Sequence, residues 1–154
     1  MKGKSGNVVI GYTTDSHLCL DCDLKPEDEV IAFSKEYAKF HNLGSSLVME
    51  TSDGKGQMDL LGRRLKNFCI IFGKIMSWEE VKWHIQEAYR LGMVHRNFLI
   101  MRKIDKITIR VNSKNGKKPA PKIIHYFSNG DRRGAMGFLR HWKMCKSLGR
   151  NKCT

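Results

Sequence analysis

Residues 18–24 read LCLDCDL, an apolar stretch interrupted at alternate positions by aspartate. In an extended chain successive side chains point to opposite faces, so Leu18, Leu20, Cys22 and Leu24 share one face and Cys19, Asp21 and Asp23 the other. Aspartate is depleted in strands, and two carboxylates two residues apart repel one another unless something positive lies between them. A hard divalent cation with oxygen ligands meets that need, which makes Mg2+ or Mn2+ the expected ion. Solvation of a wet strand face is the plain alternative.

Around this stretch the chain alternates strands and helices. Residues 8–13 (VVIGYT) read as a preceding strand, joined through Thr14-Asp15-Ser16-His17 in what the spacing predicts to be a hairpin. Downstream, Lys25-Pro26-Glu27-Asp28-Glu29 starts a helix, with proline in its first turn and three acids at the positive end of its dipole. Val30, Phe33 and Tyr37 recur there at helical spacing as core positions, and Gly44 ends the segment. Residues 46–50 (SLVME) form a short strand that runs into a turn-rich loop at 51–57 (TSDGKGQ), and 67–72 (NFCIIF) form another strand. Ser77-Trp78-Glu79-Glu80 is a capping box that opens a helix to about Leu91, with Gly92 as its stop.

Three further strands are expected at 97–101 (NFLIM), 107–111 (ITIRV) and 122–127 (KIIHYF), the last two separated by a basic loop at 112–119 (NSKNGKKP). Asp131 caps a final amphipathic, basic helix with Phe138, Leu139, Trp142 and Cys145 on its apolar side. No repeat or composition break marks a linker. The expectation is one α+β domain over residues 1–154, with a mainly antiparallel sheet and helices packed on it.

The balance of 28 Lys and Arg against 15 Asp and Glu gives a formal charge of +13, a field that attracts polyanions and makes nucleic acid the expected partner. Hydrophobic residues at 41% and charged residues at 28% disfavour disorder, collagen-like repeats and coiled coil. No apolar run approaches the ~20 residues of a membrane span, and the amino terminus leads into a strand rather than a signal-peptide core, so a cytoplasmic protein with no membrane partner is expected. Cys19, Cys22, Cys69, Cys145 and Cys153 make an odd set that suits reduced thiols. Cys19 and Cys22 form a C-x-x-C, but within a strand they point to opposite faces, which discounts zinc.

Other residues extend the chemistry. Asp105, just before the strand that contains Arg110, is a candidate third carboxylate, and three carboxylates can hold two metal ions for in-line phosphoryl transfer. Ser52-Asp53-Gly54-Lys55-Gly56 is a Gly-rich loop with a lysine that can wrap a phosphate, although the Walker pattern is absent. The string from Arg110 to Lys118 sets basic side chains among Asn, Ser and Gly, suited to a triphosphate or a strand backbone.

Taken in order, these stretches resemble the three motifs of the archaeo-eukaryotic primase superfamily, the primase and primase-polymerase catalytic core. Leu20-Asp21-Cys22-Asp23-Leu24 looks like the first motif. Glu50-Thr51-Ser52-Asp53-Gly54-Lys55-Gly56 is similar to the first half of the second; that motif's histidine is missing, and Gln57, Asn67 or Cys69 stand where it would fall. Ile104-Asp105-Lys106 with the strand to Arg110 and the Asn112-Ser113-Lys114 loop resembles the third. The resemblance implies an RRM-like core in which Asp21, Asp23 and Asp105 bind two Mg2+ or Mn2+ ions and act in catalysis, while Ser52, Lys55, Arg110, Ser113 and Lys114 hold a nucleoside triphosphate. The implied reaction is template-dependent nucleotidyl transfer on single-stranded DNA or RNA, with a helicase or accessory primase subunit as a further partner.

A second reading is a non-catalytic single-stranded nucleic-acid-binding accessory protein on the same fold, with Tyr12, Phe68 and Tyr126 as stacking candidates. A third, a replication-initiator endonuclease, wants paired metal-binding histidines and a nucleophilic tyrosine; His17, His41, His84, His95, His125 and His141 are scattered along the sequence.

Overall fold

Residues 11–102, 106–110, 119–129 and 152–153 are described in a computed structural model of the chain. It is an α+β arrangement of two sheets and three helices over those residues. The strands are β1 (Gly11–Thr14), β2 (His17–Pro26), β3 (Ser46–Met58), β4 (Arg64–Ile75), β5 (Ile107–Arg110), β6 (Lys122–Phe127) and β7 (Lys152–Cys153). The helices are α1 (Glu27–Phe40), α2 (Trp78–Arg90) and α3 (Arg96–Arg102). A four-stranded antiparallel sheet has the order β2-β4-β3-β6, and a second sheet the order β5-β1-β7.

β4 is central because it supplies the longest apolar run. Phe68, Ile70 and Phe72 are fully buried on one face, opposite Cys22 and Leu20 of β2 and Val48 of β3. α1 packs against β2, β3 and β4, and α2 against β2. α1 buries Val30, Ser34, Tyr37 and Ala38, the stripe expected from its sequence, and ends at Phe40, short of Gly44. At α2 the Ser77 hydroxyl accepts from Glu80 N at 3.2 Å, the expected N-cap bond, while the Glu80 carboxylate accepts from the Ser77 hydroxyl at 3.2 Å rather than from its backbone N–H. Gly92, at φ 79°, ends that helix in the left-handed conformation.

Several expectations are corrected. β1 and β2 do not pair as a hairpin: β1 pairs with β5 and β7, and β2 with β4, so long-range partners displace the local one. Residues 97–101 belong to α3 rather than to a strand, a short apolar run whose periodicity does not separate the two. The stretch 51–57 is not a loop but part of β3, which bulges twice against β4. The β3–β4 turn is clamped by Asp59, whose carboxylate accepts from Leu61 N and Arg63 N at 2.9 Å and from Arg63 Nε at 2.7 Å. Arg63 also reaches Asp28 at 3.3 Å and Glu29 at 3.2 Å on the first turn of α1. The helix expected after Asp131 lies outside the described residues. Among the described residues no helix is long and apolar enough to cross a membrane.

Under the helices, Tyr37, His41, Trp83 and His84 form an aromatic cluster, with Tyr37 Oη 2.9 Å from His84 Nδ1. Burial pushes His84 down to about 4, helped by His41 and Lys74 and opposed by Glu80 and Glu87. The unfolded chain therefore takes up a proton at this ring near pH 6.5 that the folded chain refuses until about pH 4. The stability tied to neutral His84 is complete above the higher value and is lost as pH falls toward the lower one, by up to about 3 kcal/mol. His17, also pushed down by burial, adds the same sign. Chemical denaturation across that window should show stability falling with acid in the wild type and a shallower slope in His84→Gln; equal slopes would refute the assignment.

Candidate functional site

Alternation along β2 turns Leu18, Leu20 and Cys22 toward the helices and Cys19, Asp21 and Asp23 toward the opposite face. On that face a cavity of about 300 Å³ is lined by Asp21 and Asp23, by Thr51 and Ser52 of β3, by Asn67 and Cys69 of β4 and by Arg110 of β5. Ile107 and Ile109 of β5, with Phe98 and Arg102 of α3, complete its wall. Residues from five elements of the chain thus meet in one place.

Asp21 is half-buried opposite Cys69, and Asp23 is exposed at the rim. The β2–β4 pairing breaks register between Cys22 and Lys25, and Leu24 within the break sits at φ 53°. Leu24 is consequently 40% exposed instead of sharing the core face with Leu20 and Cys22. The bulge re-aims the end of the strand immediately after Asp23.

Asn67 holds that bulge. Its Oδ1 accepts from Leu24 N at 2.9 Å, while its Nδ2 donates to Ser52 Oγ at 2.7 Å, so one amide joins β2, β4 and β3 at the cavity. Ser52 is nearly buried and stands directly opposite Asn67 in register. Because its oxygen accepts from Asn67, the hydroxyl's own proton is left to be donated. Asn67 was one of three positions noted for the missing histidine; what marks it in sequence is a polar, strand-averse residue at the head of an apolar run.

Arg110 donates from Nη2 to Thr51 O and from Nη1 to Pro119 O, both at 2.7 Å, which fastens β5 to β3 across the cavity. Burial lowers its pKa from the ordinary guanidinium value, so its charge is partly stripped of water. Arg102, which the sequence did not single out, donates to Lys106 O at 3.0 Å and lies 4.9 Å from the Phe98 ring centroid. Reading 97–101 as a strand hid it at the end of α3.

Lys55 is exposed at φ 58° and does not line the cavity. The glycine beside it is accounted for by packing: a Cβ on Gly54 would run into the Leu65 carbonyl oxygen and come within 3.2 Å of the Leu24 side chain. Asp105, Ser113 and Lys114 lie outside the described residues; in sequence Asp105 falls between Arg102 and Ile107, both on the cavity wall.

Asp21 and Asp23 offer hard oxygen donors that fit Mg2+ or Mn2+. Cys19 and Cys69 line the same cavity, and burial raises both thiols. Cys22 is buried on the other face, as the case against zinc requires. Among the described residues no group of three or more His, Cys, Asp and Glu is arranged to hold a metal ion.

Two further expectations change. Phe68 is fully buried and offers no face for a base, whereas Tyr126 is 36% exposed on β6; the Tyr12 side chain lies outside the description. The histidines are not all scattered, since the His41 and His84 rings lie 5.1 Å apart, packed with Tyr37 rather than lining the carboxylate cavity.

Removing the shared amide should loosen the site. Asn67→Ala is expected to cost about 1–3 kcal/mol in chemical denaturation, since it leaves Leu24 N and Ser52 without their partner. Asn67→Asp, which keeps the acceptor for Leu24 but loses the donor to Ser52, should recover only part; wild-type stability in Asn67→Ala would contradict the bridging role.

No family model, curated protein or solved structure matches the chain.

Proposed function

We propose that the chain is a template-dependent nucleotidyltransferase, a DNA primase or polymerase-like enzyme acting on single-stranded nucleic acid. The observation that carries this reading is the meeting of Asp21 and Asp23, Ser52 and Arg110 in one cavity, from the three stretches that resemble primase motifs. The run β2-α1-β3-β4-α2 also suits an RRM-like primase-polymerase core, being the split βαβ pattern with its hairpin strand between the other two. β6, which joins at the β3 edge, is the departure from that pattern.

In the proposed reaction a 3′ hydroxyl attacks the α-phosphate of a nucleoside triphosphate. A new O–P bond forms, the bond to pyrophosphate breaks, and the hydroxyl proton leaves to solvent or base. Divalent ions held by Asp21, Asp23 and Asp105 would supply neutralisation of phosphate charge and acidify the attacking hydroxyl. Ser52 donates its remaining proton to a phosphate oxygen. Arg102 and Arg110 contribute positive charge at the same wall, where partial loss of water strengthens their pull on an anion. Ser113 and Lys114, on the basic stretch that follows β5 in sequence, are proposed to hold the triphosphate; Lys55, exposed beyond the cavity, is left to the nucleic-acid backbone. A helicase or accessory primase subunit is the proposed partner.

The test is incorporation of labelled nucleotides on primed and unprimed single-stranded templates with Mg2+ or Mn2+. The wild type should give product, and Asp21→Asn with Asp23→Asn should reduce it to background while keeping the fold, because the amides preserve shape and remove only charge. Product from the double variant would defeat the proposal. No product from either protein, with strand binding intact in both, would transfer the assignment to a non-catalytic accessory protein. Lys114→Ala should raise the nucleotide KM with little change in kcat, and an unchanged KM would remove Lys114 from the site.

A further inference from the structure

Arg102 has a second neighbour. On its other side lies a cavity of about 360 Å³ between α2 and α3, with Trp83, Gln86 and Lys82 of α2 and Leu99 of α3 in its walls. Arg102 therefore lines both this cavity and the one that contains Asp21 and Asp23.

Trp83 is 55% exposed, a large apolar ring left in contact with water on a helix surface. The ring is not loose. It packs edge-on against His41 at 5.8 Å and against His84 at 5.0 Å between centroids, so its position is set by the cluster beneath. His41 in turn meets Phe40, which is 84% exposed, at 4.8 Å. Phe40 touches His41 and His41 touches Trp83, and of these rings Trp83 lines the cavity, together with Arg102.

An exposed aromatic face beside a guanidinium is a means by which proteins hold single strands: each base has a face to stack, whatever its identity. The net charge of +13 favours a polyanion over an uncharged apolar partner. Lys82 pairs with Glu79 at 2.9 Å, but Glu79 is 81% exposed, and an exposed pair of that kind is exchanged for a phosphate at little cost.

We propose that the cavity between α2 and α3 takes an unpaired base of a single-stranded nucleic acid, with Trp83 as its stacking face, Arg102 as the wall shared with the carboxylate cavity, and Phe40 and His41 continuing the path. This inference rests on the nucleic-acid part of the proposed function and not on catalysis.

The experiment is equilibrium binding of a labelled single-stranded oligothymidylate to the full chain without nucleotide or metal, read by anisotropy and by tryptophan emission. Wild type should bind with quenching. Trp83→Ala should bind roughly tenfold more weakly and lose most of the quench, whereas Trp83→Phe, which keeps a ring, should stay within about threefold of wild type. An abasic strand of the same length should bind the wild type about as weakly as oligothymidylate binds Trp83→Ala, a comparison that involves no variant fold. Wild-type affinity in Trp83→Ala, equal binding of abasic and normal strands, or no strand binding at all would each overturn the proposal and leave a protein partner as the occupant. Trp83-dependent binding that persists in a protein giving no nucleotide incorporation would sink the catalytic reading and leave this one standing.

Discussion

β4 is held from both sides, and its register fixes which residues of β2 and β3 face the carboxylate cavity. Asp21 lies opposite Cys69, and Ser52 opposite Asn67. A slip of one residue would turn Asp21 into the helix-covered core and bring Leu20 or Cys22 to the cavity. The packing forbids it: Leu18, Leu20, Phe68, Ile70 and Phe72 are fully buried, each large apolar side chain contributing about 1.5–3 kcal/mol, while an unpaired carboxylate among them would be driven to protonate. Core residues that line no part of the cavity thus specify where its acids point.

The same division separates two chemistries. On the helix side, Tyr37, His41 and His84 pack with the apolar core, and burial keeps His84 neutral into acid. On the other side, oxygen donors and guanidiniums gather around a space open to water, with buried thiols as part of its floor. Arg102 connects this second environment to the surface beside α2, because the short helix that carries it runs between the two hollows.

What could be read from the sequence was what depends on neighbours in the chain. The acids in the first turn of α1, the Ser77–Glu80 cap and Gly92 mark their helices because capping and dipole effects act within a turn. The shared face of Asp21 and Asp23 follows from alternation alone. What depends on distant partners was hidden. Nothing local reveals that β1 pairs with β5 rather than β2, or that the glycine-rich stretch around Gly54 serves close packing against Leu65. The bridging role of Asn67 and the place of Arg102 were hidden for the same reason: one acts by joining strands, and the other sits at the end of an apolar run that tertiary packing turns into a helix.

The clamped turn between β3 and β4 makes assembly of the cavity uneven. Asp59 and Arg63 are four residues apart, so joining Ser52 to Asn67 closes a short loop; joining Leu24 to Asn67 closes one of 43 residues. By loop-closure entropy the longer connection costs about 2 kcal/mol more than the clamp, before α1 is ordered within it. That difference is met by the contacts that hold β2 and α1 to the rest of the fold, the ion pairs of Arg63 with Asp28 and Glu29 among them. Weakening them would part Leu24 from Asn67 before Ser52, so a chain under stress would lose β2, with Asp21 and Asp23, while the β3–β4 hairpin still held.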